Sequence, residues 1–121
     1  VYGKPADDAD AERMLRALAG RCHQVLTGLA VIGHRSEGDD PLTSVDCTDV
    51  WIRPLDDADI DWYLASGEHR GKAGAYAIQG LGSLLVDRIE GPYQNVVGLS
   101  LPALDNLTRR FGWPLRELAA R

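Results

Sequence analysis

No apolar run in this sequence is long enough to cross a bilayer; runs such as Leu29 to Ile32 are only a strand's worth. Basic charge is also in short supply. Among the 121 residues, 18 acidic side chains outweigh 13 basic ones, for a net charge of -5. A surface that coats nucleic acid needs clustered Lys and Arg, so nucleic-acid binding is not expected. A small anionic ligand stays open, because two or three well-placed cations can outweigh a mildly negative surface. The cysteines number two, Cys22 and Cys47, with no CxxC or Cys/His finger spacing. They are expected to be buried free thiols in a reducing cytoplasm. A zinc site from Cys22, His23, Asp46 and Cys47 is disfavoured, since adjacent residues on a strand point to opposite faces. The sequence as given opens on neither Met nor a signal-peptide pattern. Val1-Tyr2-Gly3-Lys4-Pro5 reads as if it begins inside a strand.

Familiar catalytic signatures are missing too. There is no Gly-x4-Gly-Lys-Ser/Thr loop and no Rossmann glycine fingerprint after a strand. No Ser-His-Asp set can be recognised, and His23, His34 and His69 read as ordinary polar residues on a strand, at a strand end and in a loop. A hydrolase of the usual nucleophilic kind is therefore not expected.

What is present is the pattern of one α/β domain over residues 1–121, with a hydrophobic content of 45% that suffices for a real core. Asp7 or Asp8 can cap a first helix whose apolar stripe is Ala11, Met14, Leu15 and Leu18, and Gly20 supplies a left-handed stop. From His23 to Gly33 both faces are apolar, which predicts a central strand covered on each side. Ser36 to Thr43 reads as a polar turn. A second strand follows over roughly Ser44 to Arg53. Its apolar set moves from Val45 and Cys47 to Val50 and Ile52, which predicts a bulge near Thr48 or Asp49.

The next helix has an Asp56 cap, a Leu55/Ile60 staple, a buried stripe of Ile60, Tyr63 and Leu64, and a stop at Gly67. Its acidic run, Asp56, Asp57, Asp59 and Asp61, alternates around the helix and reads as solvated charge rather than a metal site. A strand is predicted over Leu84 to Ile89, then a turn at Gly91-Pro92. Ser100 caps a last helix with Leu101, Leu104, Leu107 and Phe111 as its stripe; Gly112 ends it, and Pro114 opens a short closing turn.

Three side chains stand out by context. Lys4 lies between Gly3 and Pro5, and Lys72 between Gly71 and Ala73, in a small-residue stretch that runs to Gly82. Lysine is a compact point charge suited to polyphosphate, and a neighbouring glycine leaves room for it. Gln79 carries a donor and an acceptor together, which suits the mixed edge of uracil or thymine. Spacing alone favours the plainer alternatives: two surface lysines beside turn glycines, and a glutamine bonding nearby backbone.

Seven blocks, taken in order, change that balance. Gly3-Lys4-Pro5, His23-Gln24-Val25-Leu26-Thr27-Gly28, Thr48-Asp49-Val50, Arg53-Pro54-Leu55, Lys72-Ala73-Gly74-Ala75-Tyr76, Ile78-Gln79-Gly80 and Asn95-Val96-Val97-Gly98-Leu99 closely resemble the Maf family. The resemblance covers essentially the whole chain. It implies a fold similar to the inosine triphosphate pyrophosphatases: an elongated, twisted mixed sheet with flanking helices and a nucleotide cleft between two lobes. It also implies hydrolysis of a nucleoside triphosphate to monophosphate and pyrophosphate, assisted by Mg²⁺ or Mn²⁺, in a cytoplasmic protein that could be a homodimer.

By the same resemblance, Lys4 belongs with the residues that hold the triphosphate, and Lys72 sits in the loop beside it. The block around Gln79 looks like the branch acting on dTTP and UTP, whereas the branch acting on 7-methyl-GTP carries Glu at that place. Two departures stand out. Gly71 replaces an Asp found in many members, and the family's N-terminal part, with its phosphate loop and catalytic Asp, is not in this sequence. No residue here is therefore expected to be the catalytic base or a metal ligand. The family's link to septum formation leaves a non-enzymatic interaction module as the rival, one that a contiguous patch of Trp51, Trp62 and Trp113 would favour.

Overall fold

A computed structural model describes residues 3–31 and 41–119, without the side chains of 118 and 119. His34 and most of the predicted 36–43 turn lie outside the described residues. In chain order the elements are helix α1 (Asp8–Leu18), strands β1 (Cys22–Val31) and β2 (Leu42–Ile52), helix α2 (Asp57–Ser66), two 3₁₀ turns (Ala73–Ala75 and Gly80–Leu84), strand β3 (Val86–Glu90), and helices α3 (Tyr93–Val97), α4 (Leu101–Arg109) and α5 (Leu115–Ala119). The strands form a three-stranded sheet in the order β1-β2-β3, giving a mixed α/β arrangement. Strands β2 and β3 run antiparallel, with Asp49 opposite Glu90, Val50 opposite Ile89 and Trp51 opposite Arg88.

The chain divides into two compact units. The first comprises Val1–Gln24 and Asp49–Glu90. Here α1 begins at Asp7, whose carboxylate accepts from the Asp10 N–H at 2.8 Å, and buries Ala11, Met14, Leu15 and Leu18 as its spacing predicts. Asp56 caps α2 and closes a full capping box with Asp59, so two orphan N–H groups are satisfied at once. Ile60 and Tyr63 face the core, and Gly67 ends the helix at φ 74°. Helix α1 packs on α2 and on the Ala73–Ala75 turn. Val50, Ile52, Ile78 and Leu85 complete an apolar core in which each fully buried aliphatic side chain contributes about 1.5–3 kcal/mol.

The second unit comprises Val25–Thr48 and Gly91–Arg121. Its centre is polar. The Asn95 Nδ2 group donates to Val25 O at 2.9 Å and to Thr48 Oγ1 at 3.1 Å, while Thr48 Oγ1 donates to Pro92 O at 2.9 Å. Gly91, at φ 125°, closes this arrangement, because a Cβ there would lie 2.8 Å from Cys47 O. Ser100 caps α4, and Ala103 and Leu107 are its buried residues.

Several sequence expectations need correction. Strand β1 is at one end of the strand order rather than central, and Leu26 on its open face is 64% exposed. Along β2 the even-numbered residues are the less exposed ones throughout, so Val45 and Cys47 point out and the expected change of parity at Thr48 or Asp49 does not occur. The irregularity lies instead between Trp51 and Ile52. The alternation of Val45 and Cys47 marked the exposed face, because inward polar Ser44 and Asp46 carry no hydrophobic signal. Cys22 and Cys47 are free thiols, as expected, but both are exposed. In α4 the buried stripe is Ala103 and Leu107, and Leu101 is 53% exposed. Leu101 is the first helical residue after the Ser100 cap, where no preceding turn exists to cover it. Strand β3 starts at Val86, since residues up to Leu84 are taken by a 3₁₀ turn.

Candidate substrate-binding site

All three side chains singled out from the sequence belong to the first unit, and all three are exposed. The segments of Lys4 and Lys72 are far apart in order, yet the Gly74 N–H donates to Gly3 O at 3.1 Å and ties the two backbones together. The tie depends on an unusual conformation. Gly74 sits at φ 72°, and Ala75, the one described non-glycine residue with positive φ, follows at φ 66°. The left-handed region costs an alanine roughly 1–2 kcal/mol. Burial of the Ala75 methyl and the Ala75 N–H bond to Lys72 O at 3.0 Å hold it there. Gly71 also has positive φ, 71°, where glycine is free of strain. Neither lysine ammonium forms an ion pair with any described residue.

Behind this loop stand two histidines, His69 buried and His23 half-buried. His69 is 1% exposed, and its Nε2 lies 2.7 Å from Asp8 Oδ1. The hydrogen bond to His69 holds the Asp8 carboxyl below its ordinary range, so Asp8 is an ionised acceptor and Nε2–H the donor. The His69 carbonyl in turn accepts from Lys72 N at 3.3 Å. His23 Nε2 lies 2.6 Å from the Tyr76 hydroxyl. Burial pushes the His23 imidazole down and the Tyr76 phenol up, which keeps both neutral.

Gln79 precedes the second 3₁₀ turn. Ile78 before it is buried, so the chain is anchored there while Gln79 is exposed, and its amide bonds no other described residue. The turn is held by Glu68. Glu68 Oε1 accepts from Tyr63 Oη at 2.9 Å and from Gly82 N at 2.8 Å, and Oε2 accepts from Leu81 N at 3.0 Å. Tyr63 Oη also accepts from Ala77 N at 3.0 Å. Partial burial works against ionisation of Glu68, but the Gly82 N–H, the Tyr63 hydroxyl, the Leu81 N–H and the charge of Lys72 together hold its carboxyl below the ordinary value. Lys72 and Gln79 thus flank one carboxylate-centred arrangement.

Among the described residues no group of three or more His, Cys, Asp or Glu side chains could hold a metal ion. Glu68 is the carboxylate that feels Lys72, and its oxygens are already committed to three donors. The described residues therefore do not fit a metal centre. A groove of about 460 Å³ lies within the second unit, lined by Ser44, Asp46, Tyr93, Gln94, Ser100 and Asn106 among others, and none of the three expected residues lines it.

Sequence reasoning found neither Glu68 nor Tyr63 nor the Asp8–His69 pair. By spacing alone Tyr63 is only part of a helical stripe. Its position five residues before an acidic residue that follows a helix-ending glycine was the available hint. The Asp8–His69 pair spans 61 positions and leaves no local signal.

A family model described as Maf-like protein matches residues 1–111. The chain is 50% identical over 115 residues to the dTTP/UTP pyrophosphatase of Anaeromyxobacter dehalogenans strain 2CP-C, covering 95% of this chain and 59% of that protein. It is 47% identical to the dTTP/UTP pyrophosphatase of Symbiobacterium thermophilum, covering 95% of this chain and 57% of that one. With the protein of the same name from Caldanaerobacter subterraneus subsp. tengcongensis it shares 52% identity, over 93% of this chain and 54% of that one. The chain thus spans little more than half the length of these curated relatives.

Proposed function

Because the chain belongs to the Maf-like protein family, we propose that it carries the base-reading part and one flank of the phosphate site of a nucleoside triphosphate pyrophosphatase acting on dTTP and UTP. Lys4 and Lys72 would neutralise the polyphosphate, each beside a glycine that leaves the ligand room. The Gln79 amide would read the base, donating to a carbonyl and accepting from the ring N–H. The observation that carries the proposal is the Gly74–Gly3 hydrogen bond, which joins two cation-bearing segments 71 positions apart in the sequence. The names of the relatives support the pyrimidine branch over the 7-methyl-GTP branch. A fold similar to the inosine triphosphate pyrophosphatases, a cytoplasmic location and a homodimer belong to the same proposal.

The substrate would arrive as its Mg²⁺ or Mn²⁺ complex. Since the described residues offer no metal centre, no step is assigned to an ion held by them. Nor is a catalytic base assigned here, so the chain by itself should bind nucleotide weakly and release little pyrophosphate. Titration with dTTP, UTP and 7-methyl-GTP in the presence of Mg²⁺, with pyrophosphate assayed in parallel, tests both parts. Binding of UTP and dTTP in preference to 7-methyl-GTP is expected, and loss of binding in Lys4→Ala and Lys72→Ala. Rapid pyrophosphate release would show that a base does lie within these residues; equal or absent binding of all three nucleotides would end the proposal. Gln79→Glu should shift preference toward 7-methyl-GTP, and an unchanged preference would remove Gln79 as the selector.

A further inference from the structure

We infer that Glu68, braced by Tyr63, is a positioning residue for base selection: it fixes the Ala77–Gly82 segment and thereby the direction in which Gln79 is presented. This rests on the proposed meeting of Gln79 with the base. The geometry converges on one carboxylate. Three donors reach it from two directions, Tyr63 Oη from the core and the Leu81 and Gly82 N–H groups from the turn that Gln79 opens. The same tyrosine hydroxyl takes the Ala77 N–H, so the segment is fastened on both sides of Gln79. Tyr63 is fully buried and cannot shift without disturbing the core.

The glycines on either side of Leu81 are part of the device. A Cβ on Gly80 would stand 2.6 Å from Glu68 Oε2, and a Cβ on Gly82 would overlap Ala77 O. Side chains at either place would lift the turn off the carboxylate. A carboxylate is also the one side chain that meets three donors without presenting a hydrogen of its own. A glutamine amide has a single oxygen and would turn its NH₂ toward one of them. With its oxygens thus occupied, Glu68 is in no position to bond a base itself. Its effect on recognition passes through Gln79, which is exposed and whose amide bonds no other described residue.

A merely structural brace would weaken the fold without altering which base is preferred, and two probes separate these cases. The UTP-to-CTP affinity ratio reports the base edge, because the two differ at the 4-position in carbonyl against amino. Affinity for inorganic tripolyphosphate reports the cations alone. In Glu68→Gln the UTP-to-CTP ratio should fall by about three- to tenfold, the value of roughly one hydrogen bond, while tripolyphosphate binding does not weaken, since the lost charge had acted against an anion at Lys72. Tyr63→Phe keeps the ring in the core, removes only the hydroxyl, and should lower the ratio in the same direction. It therefore decides the matter if Glu68→Gln fails to fold. Faster exchange of the Leu81 and Gly82 amides with an unchanged ratio in both variants would overturn the inference and leave the proposed function standing. An unmutated chain that fails to tell UTP from CTP would end both.

Discussion

The two units of this molecule are held by different means. In the first, helices α1 and α2 bury a continuous apolar set, Leu15, Leu18, Val50, Ile60, Tyr63 and Leu85 among them, with His69 as its buried polar residue. In the second, the buried positions are chiefly polar, with Thr48, Asn95 and Ser100 beside Ala103 and Leu107. Large apolar residues there, including Leu26, Val45, Leu99 and Trp113, remain exposed. Hydrophobic burial is roughly proportional to area and forgiving of direction, whereas a buried hydrogen-bond network stabilises only when each member is matched. Asn95 Oδ1 in the second unit has no partner among the described residues, and neither have His23 Nδ1 and His69 Nδ1 in the first, so unmatched polar atoms occur in both. The residues proposed to meet substrate all stand on the apolar-cored unit, which is the better platform for fixed geometry.

This contrast can be broken at four places. Leu15→Ala should have the largest effect, a loss of about 2–5 kcal/mol in urea unfolding followed by circular dichroism, because a fully buried side chain leaves a cavity. A loss under 1 kcal/mol would mean that the first unit is not held by its core. Asn95→Ala should cost about 1–3 kcal/mol in the same assay, since it strips a donor from Val25 O and Thr48 Oγ1. A neutral result would show the polar triangle to be dispensable. Asp56→Ala removes the capping box of α2 and should cost about 0.5–2 kcal/mol, with Asp56→Asn recovering most of it.

The smallest effect is that of pH. Glu68 and Asp8 both have folded-state pKa values below their ordinary 4.5 and 3.8. Their contribution is therefore complete above those values and is lost as pH falls through the lower folded-state ones. The first unit should loosen progressively below about pH 4.5, and Asp8→Asn combined with Glu68→Gln should flatten that dependence. A double variant with the slope unchanged would assign the acid sensitivity elsewhere.

Local signals in the sequence were enough for α1, α2 and α4, because caps, staples and stop glycines such as Asp7, Asp56, Ser100 and Gly67 act within a few residues of the helix they define. The inward face of β2 is not legible in its residues, since the partial burial of Ser44 and Asp46 depends on what packs against them and not on their own polarity. The short α3 gave no usable period over Tyr93–Val97. At the candidate site, Lys4, Lys72 and Gln79 were visible as residue types beside glycines. The parts that organise them were not. Glu68 reaches Gly82 across 14 positions and Gly74 reaches Gly3 across 71, and pairing at such range leaves no mark on neighbouring residues.

The hydrogen bond from Gly74 to Gly3 also sets an order in time. Helices α1 and α2 can form from neighbours within microseconds, but a contact spanning 71 residues must wait for the entropy of a long closure to be overcome. The segments of Lys4 and Lys72 are therefore joined only when that closure is made, and helices complete on their own would leave them apart.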